Sequence, residues 1–420
     1  MLSIIKLRYF FLLALLIRFI FLICSNIIKL EPTSCCDWSR YNQISDNIIN
    51  GNFNLDAGPF VIAPIFPYFV SLIKLINYDN HVIIILLTQI FLSALSVIYL
   101  IKISENIFNN KSISYISGLI YCLYPITFWY TIFLGQETIF QFFFIVSIYY
   151  LTSYLKDDKS KNLIKFSLFF CLSFLTKSHV LIFFPFVFLI FVFKNRNTVK
   201  SIKDFLVFII IIFFVALPHG LSNKIMNGFY VLSTTGLGTH FLVGHNDDFY
   251  KMVTNPPPKN SEEYKRIWSM NYKVLVKIEN DFRNESHVTK DRKRLIEGIN
   301  WIKDNPKKSI NLIYINSVNY LKPGFNKLHQ DYLKWLVSLI ISLPIFIFGY
   351  LGIINNLYNN FKNHTPILSI FLTMFLFSVI FYSQNRFRVI TVEPFYIIYA
   401  SYFLNYINEK YLKLFLNNKT

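Results

Sequence analysis

Residues 81–103 read HVIIILLTQIFLSALSVIYLIKI. From Val82 to Ile101 no side chain is charged, and twenty helical residues rise about 30 Å, the thickness of a bilayer's hydrocarbon core. Working outward, nine more apolar runs follow the same logic, at 7–29, 113–133, 137–155, 163–177, 179–193, 204–219, 334–355, 366–382 and 390–408. Several are short, as spans packed inside a bundle can be. Hydrophobic residues make up 54% of the 420 and charged residues 15%, against roughly 25% charged in an ordinary soluble domain. So apolar a chain excludes a water-soluble fold and disorder, 13 Gly exclude collagen, and 5 Cys exclude a disulfide scaffold. The fold class expected is an all-α polytopic membrane protein with about ten transmembrane helices and a small external mixed α domain.

The formal charge of +18 would suit nucleic acid if it were concentrated on one face. It lies between the apolar runs instead, so no nucleic-acid partner is expected and the lipid bilayer is. With the N-terminus inside, sixteen Lys and Arg fall on short cytoplasmic segments, among them Lys6, Arg8, Lys102, Lys111, Lys156, Lys194 and Lys200. Six fall on short external ones: Lys29, Arg40, Lys74, Lys177, Arg386 and Arg388. That asymmetry follows the positive-inside rule, and long loops such as 220–333 cross largely regardless of charge. The first run starts directly after Lys6 and Arg8 without a small-residue cleavage site and reads as a retained anchor.

Two stretches need a decision. Residues 59–77 are apolar, but Pro59, Pro64 and Pro67 each remove a backbone donor that lipid cannot replace, so a broken interfacial helix pair is expected there. Residues 163–193 could be one helix, yet that would export Lys194, Arg196, Lys200 and Lys203; two short helices turning at Thr176-Lys177-Ser178 keep them inside. Three regions result: a membrane module 1–219 with a first external loop 30–80, an external region 220–333, and final spans 334–420. The external region opens with a Gly-rich, β-branched stretch at 227–247. Residues 261–304 then read as a polar amphipathic helix, and Asn305-Pro306 breaks it before another.

Chemistry is expected at the span ends. Asp37 follows the first span, Glu137 opens the fourth and Glu393 opens the tenth, all on the external side. Lys177, Arg386 and Arg388 lie there too, where the insertion rule does not favour them, and an anion would explain them. A lipid-linked phosphate carries its charge at headgroup depth, where Arg grips it bidentately and Lys acts as a point charge. A facing carboxylate would serve as general base. Arg18, inside the first span, either pairs with a carboxylate or snorkels. His240, His245, Asp247 and Asp248 have no zinc-like spacing, and no P-loop or dinucleotide fingerprint is present. Adjacent Cys35 and Cys36 would make only a strained disulfide.

Several stretches resemble, in order, the GT-C superfamily of polyprenyl-phosphate-sugar glycosyltransferases, in particular the lipid A aminoarabinose transferase and relatives of the protein O-mannosyltransferases. CDWSRYNQISDNIINGNFNLDAGPFVIAPIFPYF at 36–69 is similar to the family's first external loop, with an Asp, a Tyr, a Gly-aromatic turn and a Pro-x-x-Pro helix entrance. LGQETIF at 134–140 resembles the second loop, and LSFLTKSHVLIFFP at 172–185 the leucine-rich turn ending in a basic residue, here Lys177 where Arg is more usual. VLSTTGLGTHFLVGHN at 231–246 and NRFRVITVEPFYIIYASYFL at 385–404 resemble the opening of the external domain and the Arg-aromatic-Arg, Glu-Pro entrance to a late span. The protein mannosyltransferases carry Asp-Glu in the first loop, whereas Asp37 is followed by Trp38, which counts against a protein acceptor.

The resemblance implies catalytic roles for Asp37 and Glu137, donor-phosphate binding by Lys177, Arg386 and Arg388, and substrate contacts from Tyr41, Glu393 and His245. It implies an inverting hexosyl or pentosyl transferase of a bacterial inner membrane, working on the external face. The partners would be a polyprenyl-phosphate-linked sugar and a lipid or glycan hydroxyl acceptor. No cofactor is obligatory, because lipid phosphate is a good leaving group; a divalent metal, used by the related oligosaccharyltransferases, stays open. The competing classes are a flippase or transporter of lipid-linked sugars, which needs no base, and a polysaccharide polymerase.

Overall fold

The computed structural model describes residues 2–27, 37–52, 62–195, 197–326 and 332–417. Among them the secondary structure is helical throughout, with no strand. The membrane module holds α1 (Leu2–Ile27), α2 (Trp38–Ile49), α3 (Ile65–Ile76), α4 (His81–Phe108), α5 (Lys111–Leu123), α6 (Pro125–Phe128), α7 (Glu137–Asp157), α8 (Ser160–Thr176), α9 (Phe184–Asn195) and α10 (Thr198–Asn227). A layer of shorter helices follows: α11 (Leu237–Gly244), α12 (Asp247–Thr254), α13 (Glu262–Trp268), α14 (Lys273–Asp281), α15 (His287–Asp304) and α16 (Pro306–Leu321). The chain then closes with α17 (Tyr332–Ile380), α18 (Asn385–Thr391) and α19 (Glu393–Asn417).

Seven helical segments among the described residues are long and apolar enough to cross a membrane, and the chain is a multi-pass membrane protein. The other three expected spans are helical but shorter or more polar. Residues 113–133 are interrupted at Tyr124, which is extended ahead of Pro125 because proline disfavours the helical conformation of the residue before it. Helix α8 has 17 residues, and α19 carries Asn405, Asn408 and Glu409. α19 packs mainly on α17 and α5, and α8 on α7 and α10, so protein rather than lipid covers much of them.

At 163–193 the expected break is present: α8 ends at Thr176, Lys177 is extended, and a 3-10 turn Ser178–Phe183 leads into α9. At 59–77, residues 59–61 lie outside the described residues, and one 12-residue helix, α3, follows Pro64. At about 18 Å it cannot span a bilayer. Its partner is α2, and the two are joined by Lys74 Nζ on Asp46 at 2.6 Å. The single helix expected over 261–304 is three: Met270, in the left-handed region at φ 58°, ends one turn, and Ser286 caps the start of another. Cys35 and Cys36 lie outside the described residues.

Residues 332–380 are helical without a break, but they cannot be straight. Phe346 and Phe371, about 37 Å apart on a straight helix, both bring their rings to 4.7 Å from that of Tyr396. The run therefore doubles back near 357–363 as two antiparallel spans. This bend shares one end of the bundle with the α4–α5, α7–α8 and α9–α10 turns. There Asp158 binds Lys194 and Lys200, Asn106 reaches Thr152 and Ser153, and Phe193 meets Phe361. The opposite end gathers Asp37, the start of α7, Lys177, α18 and the layer α11–α16.

Candidate active site

Asp37 occupies the N-cap position of α2, yet its side chain makes no cap hydrogen bond. Its carboxylate, 54% exposed, faces Arg386, with Oδ2 3.9 Å from Nη1. Arg386 is the second residue of α18, and its Nε donates to Gln384 Oε1 at 2.9 Å. Glu137 is the first residue of α7, where the helix dipole favours a carboxylate. It is buried, and its Oε1 lies 2.9 Å from Lys177 Nζ. Lys177 gets there because the chain is extended between α8 and the following 3-10 turn. Gly135 leaves room for this pairing, since a Cβ there would stand 2.5 Å from Glu137 Oε2 and push the carboxylate aside.

The two cations flank a single ring, Phe387, at 5.5 Å for Lys177 and 5.2 Å for Arg386. Burial works against the charge on Arg386, but Glu137, Tyr382 and Asp37 outweigh it and hold the guanidinium above its ordinary value. Positions 37, 137, 177 and 386 thus form one group of two carboxylates and two cations at one end of the bundle. Each cation faces a carboxylate, so the group is near neutral as it stands.

Two histidines belong to the same neighbourhood and escaped the sequence reading of the site. In the sequence His240 stands out only beside His245, Asp247 and Asp248, as a metal ligand. Its Nδ1 lies 2.9 Å from Tyr382 Oη. Desolvation, then the charge of Arg386, pulls its pKa down to about 4, so the ring is neutral at physiological pH. His179, two residues beyond Lys177, packs between the rings of Phe140, Phe377 and Phe387, and its Nε2 is buried without a hydrogen-bond partner. The Lys-Ser-His sequence at 177–179 was the one available signal. Gly244 matters too: α11 approaches the end of α17 so closely that a Cβ there would meet Phe381 O at 1.8 Å.

Arg388 and Glu393 form a separate, fully buried group. Arg388 Nε donates to Glu393 Oε1 at 3.0 Å, Nη1 to Lys322 O at 2.6 Å and Tyr320 O at 3.2 Å, and Nη2 to Gly324 O at 2.6 Å. Tyr124 donates to Glu393 Oε2 at 2.8 Å. The last carbonyls of a helix have no intrahelical donors, and here Arg388 supplies them at the end of α16. Tyr41 is buried between α2 and α3, edge-on to Phe66 at 4.8 Å. His245 stacks on Phe241 at 4.4 Å and lies against Trp301, inside the α11–α15 layer. Asp247 binds Lys308 and Trp301, and Asp248 binds Arg266 in bidentate fashion. Among the described residues no three His, Cys, Asp or Glu side chains gather as a metal-binding group. Arg18 is fully buried rather than snorkelling, and among the described residues it pairs with no carboxylate. Its Nε donates to Ser93 Oγ at 2.7 Å and its guanidinium lies over the rings of Phe128 and Tyr121.

Comparison with known proteins bears on this arrangement. The archaeal oligosaccharyltransferase AglB from Archaeoglobus fulgidus, solved with an inhibitory peptide and a dolichol-phosphate, aligns with 99% of this chain and 52% of its own, at 13% identity and a TM-score of 0.55. An A. fulgidus oligosaccharyltransferase tethered to an acceptor peptide aligns with 96% of this chain and 50% of its own, also at 13% identity, with a TM-score of 0.56. Residues 61–221 match the family described as dolichyl-phosphate-mannose-protein mannosyltransferase. The fold is GT-C. The family match runs from α3 into α10 and includes Glu137 and Lys177, and the likeness in fold to the solved structures extends over nearly the whole chain. The chain spans about half the length of those structures. No curated protein sequence matches it.

Proposed function

We propose that this protein is an inverting glycosyltransferase that moves a sugar from a polyprenyl-phosphate donor to a hydroxyl of a glycolipid or glycan on the external face of a bacterial cytoplasmic membrane. The observation that carries the reading is the convergence of Asp37, Glu137, Lys177 and Arg386 in one group. Paired acids and cations at one end of a membrane bundle suit a reaction that takes a proton from one side of a sugar and sheds a phosphate on the other.

Asp37, the more open carboxylate, takes the proton of the acceptor hydroxyl, which must come within hydrogen-bond reach of it. The hydroxyl oxygen attacks the anomeric carbon from the face opposite the phosphate, the carbon–oxygen bond to phosphate breaks, and configuration inverts. Lys177 and Arg386 hold the phosphate as negative charge accumulates on it. Glu137 competes with that phosphate for Lys177, which keeps the cation placed and desolvated until the donor arrives. Arg388, which the resemblance grouped with the phosphate ligands, acts from behind by fixing the end of α16 and the start of α19.

The test is turnover by the purified protein with a panel of radiolabelled polyprenyl-phosphate sugars. Asp37→Asn should lower transfer about 10²- to 10⁴-fold, the usual contribution of a positioned general base, while the folded protein is retained. Undiminished turnover would remove Asp37 from the chemistry. A transporter of lipid-linked sugars would instead leave the sugar–phosphate bond intact in both forms.

A further inference from the structure

Helix α16 is built inside out. Its buried face holds Ser309, Leu312, Asn316 and Tyr320, while Ile310, Ile313, Tyr314, Val318 and Leu321 are 43–67% exposed along the opposite face. In water that arrangement would be reversed, with polar residues outward. Asn316 is engaged on the inner side, accepting from Ser383 N at 3.3 Å.

Position along the bundle agrees. Tyr320 Oη donates to Phe371 O at 3.0 Å, and Phe371 lies nine residues, about 13 Å of helix, inside the end of α17 at Ile380. Gly324 packs on the backbone of Leu339, seven residues or about 10 Å inside the other end of α17. Tyr350 Oη donates to Leu321 O at 2.7 Å. The C-terminal end of α16 therefore descends beside the spans, below the level at which they begin. A helix end can stop within a membrane only where its free carbonyls are satisfied by protein, and Arg388 and Tyr350 do this. On α17, against which α16 packs, Val337, Ile340 and Leu343 are likewise exposed apolar side chains. Lys307, at the upper end of the same face, is placed to reach the headgroups.

We infer that α16 is a re-entrant helix in the leaflet at the site end of the bundle, and that Ile310, Ile313, Tyr314, Val318 and Leu321 bear on lipid acyl chains. The partner is the lipid surface itself. The inference holds whether or not the protein transfers sugars, because it rests on the packing of α16 alone.

The full chain, reconstituted in vesicles of phosphatidylethanolamine and phosphatidylglycerol with acyl-labelled lipid, tests it. Tyr314 or Val318 is replaced by p-benzoylphenylalanine, with Ile340 on α17 as lipid-facing reference and Lys303 on α15 as aqueous reference. Lipid adducts at 314 and 318 should match those at 340 and exceed those at 303 about tenfold or more, as for a helix lying in the bilayer. Adducts at the level of 303 would overturn the inference, and so would adducts to a second protein molecule in place of lipid. Mapping of diazirine-lipid adducts on the unsubstituted protein gives the same two outcomes: label within 309–321, or none there while α17 is labelled.

Discussion

Arg386 and Arg388 stand two residues apart on α18, yet they belong to different regions of the molecule. Arg386 is one-third exposed, its closest carboxylate is 3.9 Å away on a half-open Asp37, and its one short hydrogen bond in the site is to Gln384. Arg388 is buried, and its three guanidinium nitrogens are all bonded, to Glu393 and to backbone carbonyls between Tyr320 and Gly324. Part of the first has bonding capacity left for a ligand, while the second has been absorbed by the fold. An identical residue type on one short helix therefore divides into a candidate ligand-binding group and a structural clamp, and what divides them is the number of acceptors each finds within the protein.

That contrast can be broken experimentally. The largest effect on stability should come from Arg388→Ala. Removing one partner of a buried ion pair leaves the other charge uncompensated, at about 3–5 kcal/mol, and here several helix-end carbonyls are orphaned as well. Thermal unfolding in detergent should show the loss, and unchanged stability would remove the clamp. Arg386→Ala should instead leave stability nearly untouched and weaken binding of polyprenyl phosphate about 10- to 100-fold, the range for losing a hydrogen bond to a charged group. Equal donor affinity in the wild type and this variant would erase the distinction between the two arginines.

The smallest effect concerns pH. His240, its pKa pulled down to about 4 by desolvation and by Arg386, stays largely neutral between pH 5 and 8. His240→Gln should accordingly leave the shape of the pH–activity profile unaltered over that interval. The sign for stability follows from the same depression. The unfolded ring titrates near 6.5, so the unfolded chain binds the extra proton first, and any contribution of His240 is present above 6.5 and declines as pH falls toward 4. A step in the activity profile that vanishes in the variant would show that the ring titrates in the folded protein.

Much of the architecture was legible from the chain alone. The break at Thr176-Lys177-Ser178 followed from keeping four cations on one side, and Asn305-Pro306 separates two helices as its composition suggested. The interruption at Tyr124 was not read, although Pro125 marks it, because the run around it is apolar enough to suggest one span. The three-way division of 261–304 was hidden as well, since Met270 adopts a left-handed conformation that its residue type does not announce. In the site, Asp37, Glu137, Lys177 and Arg386 were all singled out from their places at span ends. His179, despite its place beside Lys177, and His240 are not legible as site residues, because a histidine's sequence neighbours do not say which rings and charges it will face in the fold.

Hydrophobic run length, proline placement and the distribution of Lys and Arg are local properties, and they sufficed for a multi-pass helical membrane protein with charged groups at one end. Which of those charges meet is a matter of how α2, α7, α8, α18 and α19 are brought together, and it depends on contacts between residues as far apart in the chain as Asp37 and Arg386. Pairing energies act over a few ångströms, whereas sequence position constrains distance only within a helix. For that reason the inventory of the site could be read from the chain, but its partition into an open pair, a buried pair and a helix-end clamp was decided by packing.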